Sequence, residues 1–502
     1  MEICLISLIE DVGCINLRYL SSYIRSRGHT TKLIFLPRLY SEGWSSDESY
    51  KYPYSPKILQ QLENLCSSSD IIGISLMSCH FDNAVNITKY LKELNKPILW
   101  GGIHPTISPY ECLEYADMVC IGEGENSIVE LLNHMQKSPG EDILISGILA
   151  GEEQQISVGK KIEKLNDLGF PDYDMGHQYV LYKNNIVKLN SIILSECFDG
   201  RYRTSFSRGC VSSCTYCCNN VLKRIYGNKT QPIRWRSIDN QIAELKWAKV
   251  TIDNLTKIEF SDDTFLSRSS EEIKEFASKY EKEINLPFVL LSTPLAVSYD
   301  KLKVLADAGM YNIGIGIQSV YGPVRKLYKR NESLEQIITA SEIIDKVSKE
   351  NDIPIIVRYD FITDNPWGGE IETEKNIRFA MTLKKPRQIR IFSLVFYHGT
   401  ELYEKAKSEG LIKDELNEVY RVIQLSPKST YMNEIFKLLS LDCPETIIKI
   451  LINKKIKIRS IKFVKLLNFV YGIKNLNKYK YRETQNKPTP FNGKVGEVVS
   501  YK

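Results

Sequence analysis

The sequence predicts an α/β protein: a doubly wound parallel sheet, then a partial β/α barrel, then a small, mainly helical C-terminal region. Three observations lead there. Short apolar runs alternate with amphipathic stretches through residues 1–136, and the alternation resumes with a longer period between about 201 and 412. Beyond that, apolar and basic residues interleave at helical spacing. The 502 residues suggest two to four domains at about 150 residues each. With 43% hydrophobic and 25% charged residues, neither wholesale disorder nor a collagen-like or coiled-coil rod fits.

In the first domain, residues 1–140, the segments 2–8, 31–36, 70–76, 97–100 and 118–121 read as buried strands. Residues 17–26, 81–94 and 127–135 read as the helices between them. Near-continuous apolar strands separated by helices predict a Rossmann-like parallel sheet covered on both faces. Such sheets bind ligands outside the carboxyl ends of their strands. Two loops stand there: Gly101-Gly102-Ile103-His104-Pro105-Thr106 after Trp100, and Gly122-Glu123-Gly124-Glu125 after Ile121. Their glycines permit close backbone approach to a ligand, and the second loop opens directly into a helix.

Residues 141–200 read as a linker, with Phe170-Pro171-Asp172-Tyr173-Asp174 extended and an apolar run at 192–194. In 201–412, strands are expected at 203–207, 257–261, 287–292, 311–317, 354–362 and 388–395, with helices such as 239–248, 270–283 and 299–308. Six β/α units in about 210 residues suit a TIM-type barrel, whole or incomplete, better than a second open sheet. Residues 413–483 form a basic helical region, and 484–502 a disordered tail.

Lysine plus arginine exceed aspartate plus glutamate by only 66 − 61 = 5. The excess is local: residues 449–482 hold eleven Lys or Arg and no acid. There, apolar Ile461, Val464 and Leu467 alternate with Lys462 and Lys465. Such a helix can pack on the barrel, dock an acidic partner, contact a phosphate-rich substrate or lie peripherally on an anionic membrane; packing is the preferred reading. The longest run without charge, 308–324, is too short and too polar to span a bilayer. Glu2 and the missing basic n-region argue against a secretory signal, so a cytoplasmic protein is expected.

Twelve cysteines in a reducing compartment are not expected to pair. Eight are scattered, mostly among apolar residues; Cys210, Cys214, Cys217 and Cys218 crowd into nine positions. The Cys-x-x-x-Cys-x-x-Cys spacing lets three thiolates converge from one loop after the first barrel strand. An iron–sulfur cubane with one open iron suits three such ligands, whereas structural zinc asks for four, and no Cys or His pair lies nearby. Cys218 is a poor fourth ligand, since adjacent side chains diverge. No nucleophile elbow supports Ser/His/Asp hydrolysis, and no glycine spacing fits a dinucleotide loop.

With aromatic Tyr216 just before its last cysteine, this loop resembles the CxxxCxφC signature of radical S-adenosylmethionine (SAM) enzymes. Glu259-Phe260-Ser261-Asp262-Asp263-Thr264-Phe265 is similar to the family segment that holds the SAM amino group. Gly314-Ile315-Gly316-Ile317-Gln318-Ser319 is similar to its ribose-and-methionine segment. Gly-Gly-Ile-His-Pro-Thr, Ile-Gly-Glu-Gly-Glu, the Phe-Pro-Asp-Tyr-Asp linker and Tyr397-His398-Gly399-Thr400-Glu401-Leu402 resemble the subgroup with an N-terminal cobalamin-binding (B12-binding) domain. The resemblance covers residues 1–412.

It implies that Cys210, Cys214 and Cys217 hold a 4Fe–4S cluster whose open iron is chelated by SAM. Ser261, Asp262, Asp263, Gly314 and Gln318 would contact SAM. Ser78, Gly101, Gly102, His104, Gly122, Glu123 and Gly124 would contact cobalamin. Residues 1–150 lack the Asp-x-His-x-x-Gly pattern that supplies a lower histidine ligand. His104 is the nearest substitute, and equally a loop histidine bonded to its surroundings; His80 stands similarly. The activity implied is methyl transfer to a weakly activated carbon or phosphorus centre through a 5′-deoxyadenosyl radical. Radical rearrangement, ring contraction or oxidation is the alternative, and a non-catalytic iron–sulfur sensor the reading from another class. Expected partners are a small-molecule or peptide substrate and an electron donor such as flavodoxin or ferredoxin, without nucleic acid. No catalytic side chain is assigned.

Overall fold

Apolar runs buried on both faces build the first sheet. The computed structural model describes residues 1–9, 11–37, 54–227, 233–351, 354–422, 427–453 and 460–485, with side chains to 473. Strands β1 (Glu2–Ser7), β2 (Thr30–Phe35), β3 (Ile71–Ser75), β4 (Ile98–Gly101) and β5 (Met118–Cys120) pair in parallel. Ile3 and Leu5 point into one core with Leu17, Ile24 and Leu131, while Cys4 and Ile6 point into another with Leu62 and Ile87. Helices Ile15–Ser26 and Gly124–Lys137 cover the first face; Pro56–Cys66 and Phe81–Leu91 cover the second.

Residues 141–200, expected as a linker, extend this sheet instead. They supply β6 (Ile148–Leu149), antiparallel to β5, β7 (Gln178–Tyr182), parallel to β2, and β8 (Asn185–Lys188), antiparallel to β7. The order is β6-β5-β4-β3-β1-β2-β7-β8. The chain leaves β1 toward β2 on one side and returns to β3 on the other, so the switch point lies between β1 and β3. The apolar run at 192–194 belongs to helix Ser191–Phe198.

The second sheet starts at β9 (Arg201–Thr204). A two-stranded ribbon follows, β10 (Ser207–Arg208) with β11 (Arg234–Trp235). Strands β12 (Lys257–Phe260), β13 (Phe288–Ser292), β14 (Met310–Gln318), β15 (Ile356–Thr363) and β16 (Arg387–Ser393) complete an all-parallel order β16-β15-β14-β13-β12-β9. Since β9 and β16 do not pair, the barrel is an open six-stranded one. Three of the intervening helices start on serine side-chain caps, at Ser237, Ser269 and Ser333. Ser269 accepts the Glu272 N–H, and the Glu272 carboxylate accepts the Ser269 N–H.

Helix Tyr431–Ser440 packs on β16, and helix Ile461–Gln485 packs on it in turn. Val464 and Asn468 are buried there, which fits the packing expectation, but Phe463, Leu466, Phe469, Val470 and Ile473 lie on an exposed face. Ile456, Ile458 and the expected tail from 486 onward lie outside the described residues. Among the described residues no helix is long and apolar enough to cross a membrane. The first core of the N-terminal sheet runs without a break into the barrel, joining Tyr173 to Tyr202 and Leu17 to Ile242. At its centre, Tyr19 donates to Glu244 at 2.7 Å and accepts from Arg236 at 2.7 Å, and Arg236 pairs with Glu244.

Candidate functional site

The cysteine loop leaves the β10 ribbon at the carboxyl ends of the barrel strands. Cys210 lies with its sulfur 3.8 Å from Thr264 Oγ1, and buried Cys214 has its sulfur 3.7 Å from Arg330 Nη1. Arg330 Nη2 also donates to the Gly316 carbonyl at 2.6 Å, and the guanidinium pairs with Glu332. One arginine thus ties the loop to β14. Tyr216 packs edge-on against Tyr328 at 4.8 Å between centroids, which explains an aromatic residue at that position. Cys218 opens helix Cys218–Ile225 and is exposed.

None of the cysteines is in a disulfide. Among the described residues no three His, Cys, Asp or Glu side chains stand close enough to hold a metal ion. Burial pushes the Cys210 thiol up, and hydrogen bonding to Cys218 followed by burial pushes Cys217 up. The donor set nevertheless fits an iron–sulfur cluster: three thiols on one loop, with the Arg330 guanidinium beside them to balance thiolate charge. Ligation would draw the sulfurs together and release their protons.

The two aspartates after β12 separate. Asp262 is fully buried and accepts the Phe206 N–H at 3.0 Å and the Ser207 hydroxyl. Burial pushes its carboxyl up to about 6. It therefore fastens the start of the cysteine loop to β12 and is not presented to solvent. Asp263 is exposed beside the loop and accepts from Asn219 at 2.9 Å, leaving it the better placed carboxylate for an ammonium group. Ser261 donates its N–H to the Thr204 carbonyl at 2.8 Å. At the end of β14 a register shift beside Gly316 and a φ of 67° at Gln318 turn the chain at the barrel mouth, with Gly314 further down the strand.

On the N-terminal domain, His104 is fully buried. Its Nδ1 lies 3.0 Å from Ser78 Oγ, and its ring meets Phe81, Tyr420 and His398 at 5.1, 5.4 and 5.8 Å. Burial, then the nearby His398, lowers its pKa to about 3. It is a neutral, enclosed histidine bonded to its surroundings. His80, also buried, accepts the Met77 N–H on its own ring nitrogen at 3.3 Å. Gly101 ends β4. At Gly102, with φ 107°, a Cβ would stand 2.6 Å from the Leu76 carbonyl, so two loops at the strand ends can touch only through a glycine.

The second glycine loop does something the sequence did not reveal. Glu123, expected at cobalamin, pairs with Arg234 and with Arg208 at 3.0 Å, and Glu125 pairs with Arg208 at 2.6 Å. Tyr226 sits so close to Gly122 that a Cβ there would lie 2.5 Å from its hydroxyl, which accepts the Glu123 N–H at 2.7 Å. The Glu123 carboxylate is an interdomain ion-pair partner. Gly124 starts the following helix.

The Tyr397–Leu402 segment bridges the same boundary. The Gly399 carbonyl accepts from Arg224 at 2.8 Å, Glu401 accepts from Asn220 at 2.8 Å, and Leu402 N–H donates to Thr215 inside the cysteine loop at 3.0 Å. His398 meanwhile faces His104. A cavity of about 440 Å³ lies apart from these residues, lined by Phe170, Asp172, Tyr173 and Trp247. There Asp172 is held to the N-terminal domain by Ser21 at 2.5 Å and His177 at 2.9 Å, while Phe170 and Tyr173 of the same motif pack on Trp247 of the barrel domain.

Comparison with known proteins agrees with this layout. The Radical SAM superfamily family matches residues 204–383, and the B12 binding domain matches residues 2–132. The bacteriochlorophyllide d C-8(2)-methyltransferase of Chlorobaculum tepidum is 22% identical over 368 residues, 72% of this chain and 73% of that protein. The radical SAM methyltransferase TsrM of Kitasatospora setae shares the fold at a TM-score of 0.61 and 13% identity, over 81% of this chain and 76% of that one. The cobalamin-dependent SAM radical enzyme OxsB, solved with aqua-cobalamin and SAM, does so at 0.62 and 16%, over 97% and 80%.

Proposed function

We infer that this chain, a member of the radical SAM superfamily with an N-terminal B12-binding domain, is a cobalamin-dependent radical SAM enzyme that methylates a weakly activated carbon or phosphorus centre. The observation that carries the reading is the direct packing of the Gly122–Glu125 loop on the ribbon that leads into Cys210, through Arg208. It sets the strand ends of one cofactor-binding domain against the cysteine loop of the other. The methyltransferase in Chlorobaculum tepidum and TsrM support the methyl-transfer half.

When bound, the cluster and SAM supply one-electron chemistry and cobalamin supplies a methyl group. The chain's own residues bind, orient and exclude water. Cys210, Cys214 and Cys217 are the thiolate donors, with Arg330 holding their loop against β14. Asp263, exposed beside the cysteine loop, and Gln318 at the end of β14 would contact SAM. Ser78, Gly101, Gly102 and Gly122 would contact cobalamin at the strand ends, and His104, bonded to Ser78 through Nδ1, would line the same edge. Arg224, Asn220 and Thr215 hold the Tyr397–Leu402 segment across the gap.

The substrate is a small molecule or peptide, and the reductant a flavodoxin- or ferredoxin-type donor, in a cytoplasmic setting. The exposed Phe463, Leu466 and Phe469 beside Lys462 and Lys465 support peripheral contact with an anionic membrane surface as well. The decisive experiment supplies methyl-labelled SAM to anaerobically reconstituted, reduced protein. Release of 5′-deoxyadenosine together with label retained by the corrinoid is the expected result. Deoxyadenosine without methyl movement favours rearrangement or oxidation, and neither product favours a sensor. Alanine at Cys210, Cys214 or Cys217 should remove the iron, while Cys218→Ala should keep it.

A further inference from the structure

The barrel strands alternate strictly between two environments. Tyr202, Ile258, Phe260, Val357, Tyr359 and Phe361 point outward into the core under the helices. Their neighbours in sequence point into the lumen, and among these are the charged Arg201, Arg203, Glu259, Arg358, Asp360 and Arg390.

All but one of these groups are paired. Glu259 takes Arg201 at 3.0 Å and Arg203 at 3.3 Å, and Arg203 also reaches Asp11 at 2.6 Å. Arg390 forks onto Asp360 with two bonds of 2.7 Å. Among the described residues Arg358 donates no hydrogen bond and enters no ion pair, and its Nε is shut away from solvent without a partner. Burial, and then the charge of Arg390, work against its cationic form. The residue opposite Arg358 in register is Gly314, and a Cβ there would lie 2.9 Å from its Nη2. The site is therefore kept open for a guanidinium that no carboxylate of the described residues contacts, Asp360 and Glu259 favouring its charge only from a distance. Four arginines face three carboxylates, and the surplus charge is Arg358.

We propose that the lumen binds the substrate of the reaction inferred above through an anionic group, a carboxylate or a phosphate, seated on Arg358. The proposal rests on that reading for the identity of the occupant as substrate. A guanidinium left unpaired in a partly closed site is costly, and its planar fork matches either anion with two parallel bonds. Arg358 is level with Gly314, four residues before Gln318, or about 13 Å of strand below the mouth. That depth points the anionic end of the substrate into the barrel and leaves the far end at the mouth, beside the cysteine loop.

The test is calorimetric titration of the full chain with inorganic phosphate and, separately, with succinate; the tighter of the two identifies the anion. Arg358→Gln should weaken binding about tenfold, as expected for one lost charged contact, and Arg358→Lys should keep part of it. SAM affinity should be unchanged in both variants. In the unsubstituted protein, phosphate or succinate should slow phenylglyoxal modification of the Arg358 peptide, a readout that needs no variant to fold. The proposal is overturned if neither anion binds, if Arg358→Gln binds them as the parent does, or if SAM affinity falls in parallel, which would assign the arginine to the cofactor carboxylate. None of these measurements needs turnover. A protein that cleaves SAM but ignores the anions sinks this proposal alone; one that binds the anions but never cleaves SAM sinks the functional reading instead.

Discussion

Arg208 Nη2 donates to Glu125 Oε1 at 2.6 Å, joining the last residue of the β10 ribbon to the first turn of the helix Gly124–Lys137. Both side chains are largely buried, and Cys210 is two residues away. The contact fixes where the cysteine loop begins relative to the N-terminal sheet. It also places a carboxylate at a helix N-terminus, where the backbone dipole favours it.

The first prediction concerns that contact. Removing one partner of a buried ion pair leaves the other uncompensated, at about 3 kcal/mol. Arg208→Gln and Glu125→Gln should each lower the melting temperature and loosen iron retention, and the double substitution should cost less than their sum. Strict additivity in this cycle would show that the pair does not couple the domains.

The aspartate pair gives a second. Because Asp262 is buried under the loop and Asp263 is exposed beside it, their substitutions should differ in kind. Asp263→Asn should weaken SAM binding with iron content and melting temperature unchanged. Asp262→Ala strips the acceptor from the Phe206 N–H and should destabilise the fold by about 2 kcal/mol, with iron lost secondarily. If Asp262→Ala melts like the parent and loses only SAM, the buried-fastener role is wrong.

These contrasts mark what the sequence could and could not convey. The five parallel strands of the first sheet and the six of the barrel were legible because apolar runs report burial directly. The cysteine loop was legible because its chemistry is written in consecutive residues. Strands β6, β7 and β8 were not: β6 is two residues long, and β7 and β8 form a short hairpin whose polar ends, as at Asn185–Lys188, look like loop. Glu123 and Arg208 were missed as partners because they lie 85 positions apart and only the fold brings them together. Arg330 follows the glycine segment by eleven residues, and no local pattern links it to Cys214. The Tyr397–Leu402 segment was recognised without a place; its place is between His104 and the cysteine loop.

A third prediction follows from Glu372, on the helix Gly369–Ala380 beside Ser319. Burial pushes its carboxyl up to about 7, only partly offset by hydrogen bonds from Ser319 and Asn376. A carboxyl raised in the folded state stabilises the protein below its unfolded pKa of about 4.5, and that contribution is lost as pH rises through about 7. Glu372→Gln, which stays neutral, should therefore be more stable than the parent by about 2 kcal/mol near pH 8, with the difference vanishing near pH 4. A difference that is flat with pH would mean that the carboxyl is not carrying the shift.

The last prediction separates the two faces of the C-terminal helix. On one face Val464 is buried and Asn468 donates to Glu434 at 2.7 Å, tying the helix to Tyr431–Ser440. On the other, Phe463, Leu466 and Phe469 are each more than half exposed, beside exposed Lys462 and Lys465. Val464→Asp should destabilise the protein by about 3 kcal/mol, because it puts an unpaired charge in the packed face. Serine at Phe463, Leu466 and Phe469 together should leave the melting temperature nearly unchanged, since surface changes usually stay within about 0.5 kcal/mol. The same triple variant should lose binding to phosphatidylserine-containing vesicles, which the parent should show and which salt should weaken. Parent protein that ignores such vesicles at low salt would leave the exposed face without a membrane role, whereas vesicle binding lost only in Val464→Asp would reassign the contact to the packed face.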